Sequence, residues 1–181
     1  MLSKSSSNTV GGRVGFKHVM VAVDQSDQAI FALTVAVRLA DDLHSHLSLV
    51  HVVHLPPVTN PDFAYQNIEM RPVCLESGQK FLDQLTQSLP SGTNKVLREG
   101  DPATEIIDAA TRLGADLLIM GTHGRGRFAA AVVGSVAHKV MQKVPCPVLC
   151  VAHKPETIEA GKTWPEIASE PSPEVPSWLT I

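Results

Sequence analysis

The chain has 181 residues, of which 44% are hydrophobic and 18% are charged, and its formal net charge is −3. This apolar content supplies a folded core and excludes a wholly disordered chain. The length favours a single domain, and the lack of a basic excess argues against binding to a nucleic-acid backbone. Aromatic residues make up only 4% of the chain. The core must therefore be aliphatic, which is typical of parallel strands buried on both faces.

The first 15 residues are polar and rich in Ser and Gly, which predicts a flexible lead-in. They lack the apolar run of a signal peptide, and no apolar stretch in the chain is long enough to cross a membrane. The three cysteines give an odd count, which fits a reducing compartment. We therefore expect a cytoplasmic protein that does not contact the membrane.

Short apolar runs alternate with helical patterns along the chain. The predicted strands are 18–24, 47–53, 95–99, 115–120 and 147–151, and the predicted helices are 28–43, 73–88, 102–113 and 133–143. Ser26 or Asp27 can cap the first helix. Asp101 and Pro102 are suited to begin the third, and Gly114 is suited to end it. Residues 55–72 contain four prolines, which predicts a long connection or lid without regular structure.

This alternation predicts a doubly wound α/β sandwich, in which helices cover both faces of a five-stranded parallel sheet. We expect the strand order 3-2-1-4-5, which reverses once. Ligands of such folds bind outside the carboxyl ends of the strands at the reversal. The sandwich is expected to span residues 16–153, followed by a proline-rich tail at 154–181.

A glycine-rich segment follows the predicted fourth strand. Gly121 ends that strand, Gly124 and Gly126 let the main chain approach a ligand closely, and Gly134 and Ser135 open the next helix. Free N–H groups and the positive end of the dipole at a helix start favour an anion. The segment therefore predicts a phosphate cradle. It matches neither the P-loop nor the dinucleotide-binding fingerprint.

The spacing Gly121-x2-Gly124-x9-Gly134-Ser135 resembles the nucleotide-binding pattern of the universal stress protein family, in its ATP-binding branch. Residues 21–26, 49–52, 100–124 and 144–151 also resemble family segments, in the same order. The resemblance covers about residues 16–153, nearly all of the predicted globular part.

The resemblance implies a regulatory module of the stress response that binds ATP, AMP or another adenine nucleotide, with or without Mg²⁺. Asp24 and the main chain of Ala22 would meet adenosine, and the main chain of Val52 would meet adenine. It also implies a homodimer formed through the last strand, around Val148 to Val151. The residues implied around the ribose and phosphates are Met120, Gly121, Thr122, His123, Gly124, Arg125, Gly126, Gly134, Ser135 and Val136.

Two other functions remain open. The first is a slow ATP hydrolase. The chain shows no Walker Asp and no Lys in the glycine loop, so any hydrolysis is expected to be slow. No catalytic residue is predicted, and His123 is interpreted as a loop or phosphate contact because no partner acid or nucleophile can be named. The second is a dimeric scaffold without a ligand, against which the intact glycine pattern argues.

Several single residues also allow two interpretations. Asp24 could cap the first helix or contact adenosine, and Arg125 and Arg127 could bind phosphate or lie on the surface. His44, His46, His51 and His54 resemble a metal cluster only by number. Because His51 and His54 fall on opposite faces of a strand, we predict no metal site formed by protein side chains.

Overall fold

The computed structural model describes residues 15–55, 64–122 and 133–152. In this part of the chain, strands and helices alternate from one end to the other. The strands are β1 (His18–Ala22), β2 (His46–Val53), β3 (Asn94–Glu99), β4 (Leu117–Gly121) and β5 (Val148–Val151). The helices are α1 (Asp27–Leu43), α2 (Ala64–Thr86), α3 (Pro102–Leu113) and α4 (Ser135–Lys143).

All strand pairs are parallel, and the sheet order is β3-β2-β1-β4-β5. This confirms the predicted fold and strand order. The order reverses between β1 and β4, the two neighbours from which the chain leaves in opposite directions across the sheet. Ala22 of β1 pairs with Val50 of β2 and with Met120 of β4. The carboxyl ends of these three strands therefore meet at the reversal, where an α/β sheet offers a crevice.

The helices cover the sheet in two pairs, one pair on each face. Each strand contributes to both apolar clusters because its alternate residues point to opposite faces. Val21 belongs to the apolar cluster formed with α1 and α2, which includes Leu33 and Leu82. Met20 belongs to the cluster formed with α3 and α4, which includes Ile106 and Val140. Both sides of the central strands are thus buried, as the aliphatic composition predicts.

The helix starts follow local capping chemistry. Ser26 Oγ accepts a hydrogen bond from the Ala29 N–H (3.2 Å), so Ser26, and not Asp27, caps α1. Asp101 Oδ1 accepts from the Thr104 N–H (3.0 Å), and α3 ends at Gly114, whose φ is 63°. Both predicted features of α3 are therefore confirmed.

The prediction of irregular structure over 55–72 is wrong for its second half. Helix α2 begins at Ala64 and continues through Pro72, whereas 56–63 lie outside the described residues. A proline inside a helix removes one hydrogen bond and costs about 3 kcal/mol. The residues from 64 to 71 include no Gly or Pro, and an ion pair between Arg71 and Glu99 (2.7 Å) joins this end of α2 to β3. The remaining element boundaries differ from prediction by a few residues.

Three other predictions fall wholly or mainly on undescribed parts of the chain. The flexible lead-in (apart from residue 15), the proline-rich tail and the central part of the glycine loop, 123–132, lie outside the described residues. Among the helices that the structure describes, none is long and apolar enough to cross a membrane.

Candidate functional site

The crevice between β1 and β4 has an apolar floor. Ala22 and Met120 pair across the two strands and are 8% and 5% exposed. Val52 of β2 lies on the same sheet face and is partly buried in the cluster that contains both residues. Gly121 and Thr122 follow Met120 and are partly exposed. The three strand ends thus form a small apolar surface that could hold a planar ring.

The turn between β1 and α1 carries a carboxylate at the edge of this surface. Val23 N–H donates to Val50 O (2.9 Å), which extends the pairing of β1 by one residue. Asp24 Oδ1 then accepts from the Ser26 N–H (3.0 Å) and from the Ser26 hydroxyl. The sequence left two roles open for Asp24, and the first of them, the N-cap of α1, is filled by Ser26 instead. Asp24 is held by hydrogen bonds just beyond the end of β1.

The start of α4 is joined to the end of β4. Gly134 N–H donates to Thr122 O (2.7 Å), and Thr122 N–H donates to Val151 O (3.1 Å). Gly134 is the N-cap of α4, and in the part of the chain that the structure describes no side chain accepts a hydrogen bond at this cap. The N–H groups of the first helical turn lack partners within the helix and carry the positive end of its dipole. This end of α4, which begins with Ser135 and Val136, can therefore receive an anion.

The middle of the glycine loop cannot be compared with its prediction. His123, Gly124, Arg125 and Gly126 lie outside the described residues. Their expected contact with phosphates stays a prediction.

The histidines are distributed over both ends of β2. His44 ends α1 in the left-handed region (φ 54°), and His46 begins β2. At the other end, His51 Nδ1 lies 2.9 Å from Val23 O and His54 Nδ1 lies 3.0 Å from Gly100 O. Since a carbonyl only accepts, both Nδ1 atoms carry a proton in these bonds. The described residues contain no group of three or more potential metal ligands.

His51 is the residue whose role the sequence did not reveal. It is 7% exposed, and its ring contacts Phe81 of α2 edge to face, with ring centres 4.9 Å apart. The only signal in the sequence is a polar residue within an apolar strand. The pattern could not identify its partner, because Val23 is 28 residues away.

The charged residues beside the apolar floor largely compensate one another. Arg98 lies opposite Val52 in the register of β3, and its guanidinium pairs with Glu105 (3.0 Å) and with Asp108. The Thr104 N–H holds the pKa of Asp101 below its usual range, because that hydrogen bond favours the ionised carboxylate. Lys139 of α4 lies 3.9 Å from the same carboxylate. This side of the crevice is therefore held together by its own ion pairs.

Comparison with known proteins places this architecture in a family. A sequence profile of the Universal stress protein family matches residues 15–152. The universal stress protein YxiE of Bacillus subtilis is 31% identical over 146 residues, which cover 75% of this chain and 99% of the relative.

Two solved structures illustrate the shared fold. UspA from Lactobacillus plantarum superposes with a TM-score of 0.68 at 25% identity, covering 75% of this chain and 97% of that one. A universal stress protein solved in complex with cAMP gives a TM-score of 0.52 at 21% identity, covering 76% and 98%. The profile match, the YxiE relative and the sheet order agree. The chain belongs to the universal stress protein family.

Proposed function

We propose that this chain binds an adenine nucleotide, ATP or AMP, across the carboxyl ends of β1, β2 and β4, and acts as a regulatory switch in a stress response. The hydrogen bond from Gly134 N–H to Thr122 O (2.7 Å) carries the proposal. This bond sets the anion-attracting start of α4 beside the β1–β4 reversal, where ligands of such sheets bind. The family's glycine pattern supports the same assignment.

The adenosine half of the proposed site uses the first two strands. The apolar surface of Ala22, Val52 and Met120 suits an adenine ring. The main-chain N–H and C=O of Val52 would supply polar contacts to the edge of that ring. Asp24 is suited to accept hydrogen bonds from ribose hydroxyls, because a carboxylate is a strong acceptor. Its Oδ1 is already bonded to Ser26, which orients the carboxylate before a ligand arrives.

The phosphate half uses the two ends of the glycine segment. Gly121 and Thr122 leave β4, and Gly134, Ser135 and Val136 open α4. Together with the predicted contacts of His123 through Gly126, they would surround the phosphates. Any Mg²⁺ would be held by phosphate oxygens and water. The cAMP complex of another universal stress protein is a likeness of fold alone, so the ligand assignment depends on this chain's residues.

The edge strand β5 is the proposed dimer contact. Among the described strands it pairs with β4 alone, and Leu149 is 39% exposed. An exposed edge strand offers unpaired N–H and C=O groups to another strand. Pairing of Val148 to Val151 with the same strand of a second copy would cover both the main chain and Leu149.

Isothermal titration with ATP, ADP and AMP tests the nucleotide proposal. We expect binding, and we expect Asp24→Asn to weaken it at least severalfold. Asp41→Asn is the matched control, because Asp41 is exposed near the opposite end of α1. Absence of heat with every nucleotide would refute the proposal. Sustained phosphate release at about one turnover per second or faster, the low end of ordinary enzymes, would favour a hydrolase over a switch.

A further inference from the structure

His51 lies behind the candidate site, on the opposite face of the sheet. Successive residues of β2 point to opposite faces, so Val52 faces the candidate adenine surface while His51 faces α2. The ring is confined there. It contacts Phe81, and a Cβ atom on Gly78 would lie 3.3 Å from its Cδ2.

The confined ring bonds the main chain next to Asp24. His51 Nδ1–H donates to Val23 O (2.9 Å), and Val23 is 5% exposed. A buried carbonyl that loses its donor is costly, so the main chain is driven to move when the donor is removed. Val23 immediately precedes Asp24, whose carboxylate would move with it.

We propose that His51 is a positioning residue of the nucleotide site, which holds the β1–α1 turn so that Asp24 meets the adenosine. This inference depends on the proposed function. His51 itself does not contact the nucleotide, because it lies on the other sheet face. Loss of its hydrogen bond lowers the fraction of molecules whose β1–α1 turn has the binding-competent conformation. The apparent affinity falls in proportion to that fraction.

Two substitutions separate positioning from packing. His51→Leu keeps a similar volume beside Phe81 and removes the donor. His51→Asn keeps a donor N–H at the position of Nδ1 and loses the ring contact. We expect His51→Leu to weaken ATP and AMP binding by about threefold to tenfold, the range that the net loss of one hydrogen bond gives. The factor should be equal for both nucleotides because Asp24 is proposed to meet the shared adenosine.

The affinity of the His51→Asn variant for ATP and AMP should stay within about twofold of that of the unaltered chain, even where this variant is the less stable one. The reason is that it keeps one hydrogen bond of similar net free energy. His54→Leu is the matched control, since His54 makes the same kind of bond to Gly100 O (3.0 Å) in a different turn. Its affinity should not change. A purely structural role would instead make affinity follow thermal stability across the three variants, and that result would overturn the inference.

A measurement on the unaltered chain covers the case in which a variant does not fold. Nitrogen NMR of the His51 ring should show the Nδ1–H tautomer, and saturation with ATP should slow exchange of that proton with water. No change on saturation would refute positioning. A chain that binds neither ATP nor AMP refutes the proposed function, whereas one that binds equally with and without the His51 donor refutes this inference alone.

Discussion

Replacement of Gly134 by Asp should raise the stability of the protein and weaken nucleotide binding. Gly134 caps α4 at φ −59° and ψ 156°, angles open to any residue, and among the described residues no side chain accepts a hydrogen bond at this cap. An Asp there would accept from that turn and face the positive end of the dipole. Capping adds a few tenths of a kcal/mol over Gly, and the charge adds about 0.3–1 kcal/mol. The free energy of unfolding should therefore rise by roughly 0.5–1 kcal/mol, which is about 1–4 °C in Tm.

The same carboxylate would occupy the N–H groups proposed for phosphate. Two like unit charges about 4 Å apart repel by about 1 kcal/mol in water and more where water is displaced. We therefore expect ATP affinity to fall about tenfold or more, and AMP affinity to fall less because AMP carries fewer charges. Urea unfolding and calorimetric titration measure the two effects. Gly134→Asn is the control, since it caps without charge. Unchanged ATP affinity in the Asp variant would show that α4 does not hold the phosphates.

Three further substitutions test how the surrounding fold is built. Gly78→Ala should lower the free energy of unfolding, measured in urea, by about 1 kcal/mol. The new Cβ would lie 2.8 Å from Val53 Cγ2, and this overpacking outweighs the gain in helix propensity. Ser77→Ala is the control, and an equal unfolding midpoint in the two variants would contradict the close approach. Ser26→Ala should lower the free energy of unfolding by about 1 kcal/mol in the same assay, since it removes the cap of α1. A loss near zero would mean that another group caps the helix in the variant. The depressed pKa of Asp101 stabilises the fold fully above its ordinary value of 3.8, and this contribution is lost as the pH falls through the lower folded value. Asp101→Asn keeps the cap and should flatten the acid side of the stability profile; an identical slope would refute the assignment.

The sequence predicted the architecture because local signals agree along the chain. Five aliphatic runs separated by helical patterns permit few arrangements of a parallel sheet, and the handedness of crossovers reduces them further. The caps at Ser26 and Asp101 and the C-terminal Gly114 are local chemistry over three or four residues. These features need no knowledge of distant contacts, and the structure confirms them.

The errors and omissions concern tertiary contacts. The four prolines of 55–72 predict a connection up to Pro72, yet α2 continues through that residue and is joined to β3 by the ion pair of Arg71 with Glu99. The bond from His51 to Val23 O joins two strands, and no spacing within either strand encodes it. Asp24 could be assigned to the end of β1, but its bond to Ser26 depends on the conformation of the turn. Sequence reasoning therefore predicted the residues of the candidate site but did not show how the described ones are held.

Hydrogen bonds hold the described parts of both halves of the candidate site in place. Four hydrogen bonds hold the β1–α1 turn: Val23 N–H to Val50 O, His51 to Val23 O, and both the N–H and the hydroxyl of Ser26 to Asp24. In the described part of the glycine segment, the start of α4 is joined to β4 through Gly134 and Thr122.

A preorganised adenosine half would bind ATP and AMP alike, so discrimination by phosphate number would fall to α4. This helix also touches β5, where Cys150 Sγ lies 3.5 Å from Met141 Sδ. A shift of α4 on phosphate binding would therefore reach the edge strand proposed for dimer contact. The nucleotide's phosphate number and the assembly of two chains would then be coupled through one short helix, as a switch requires.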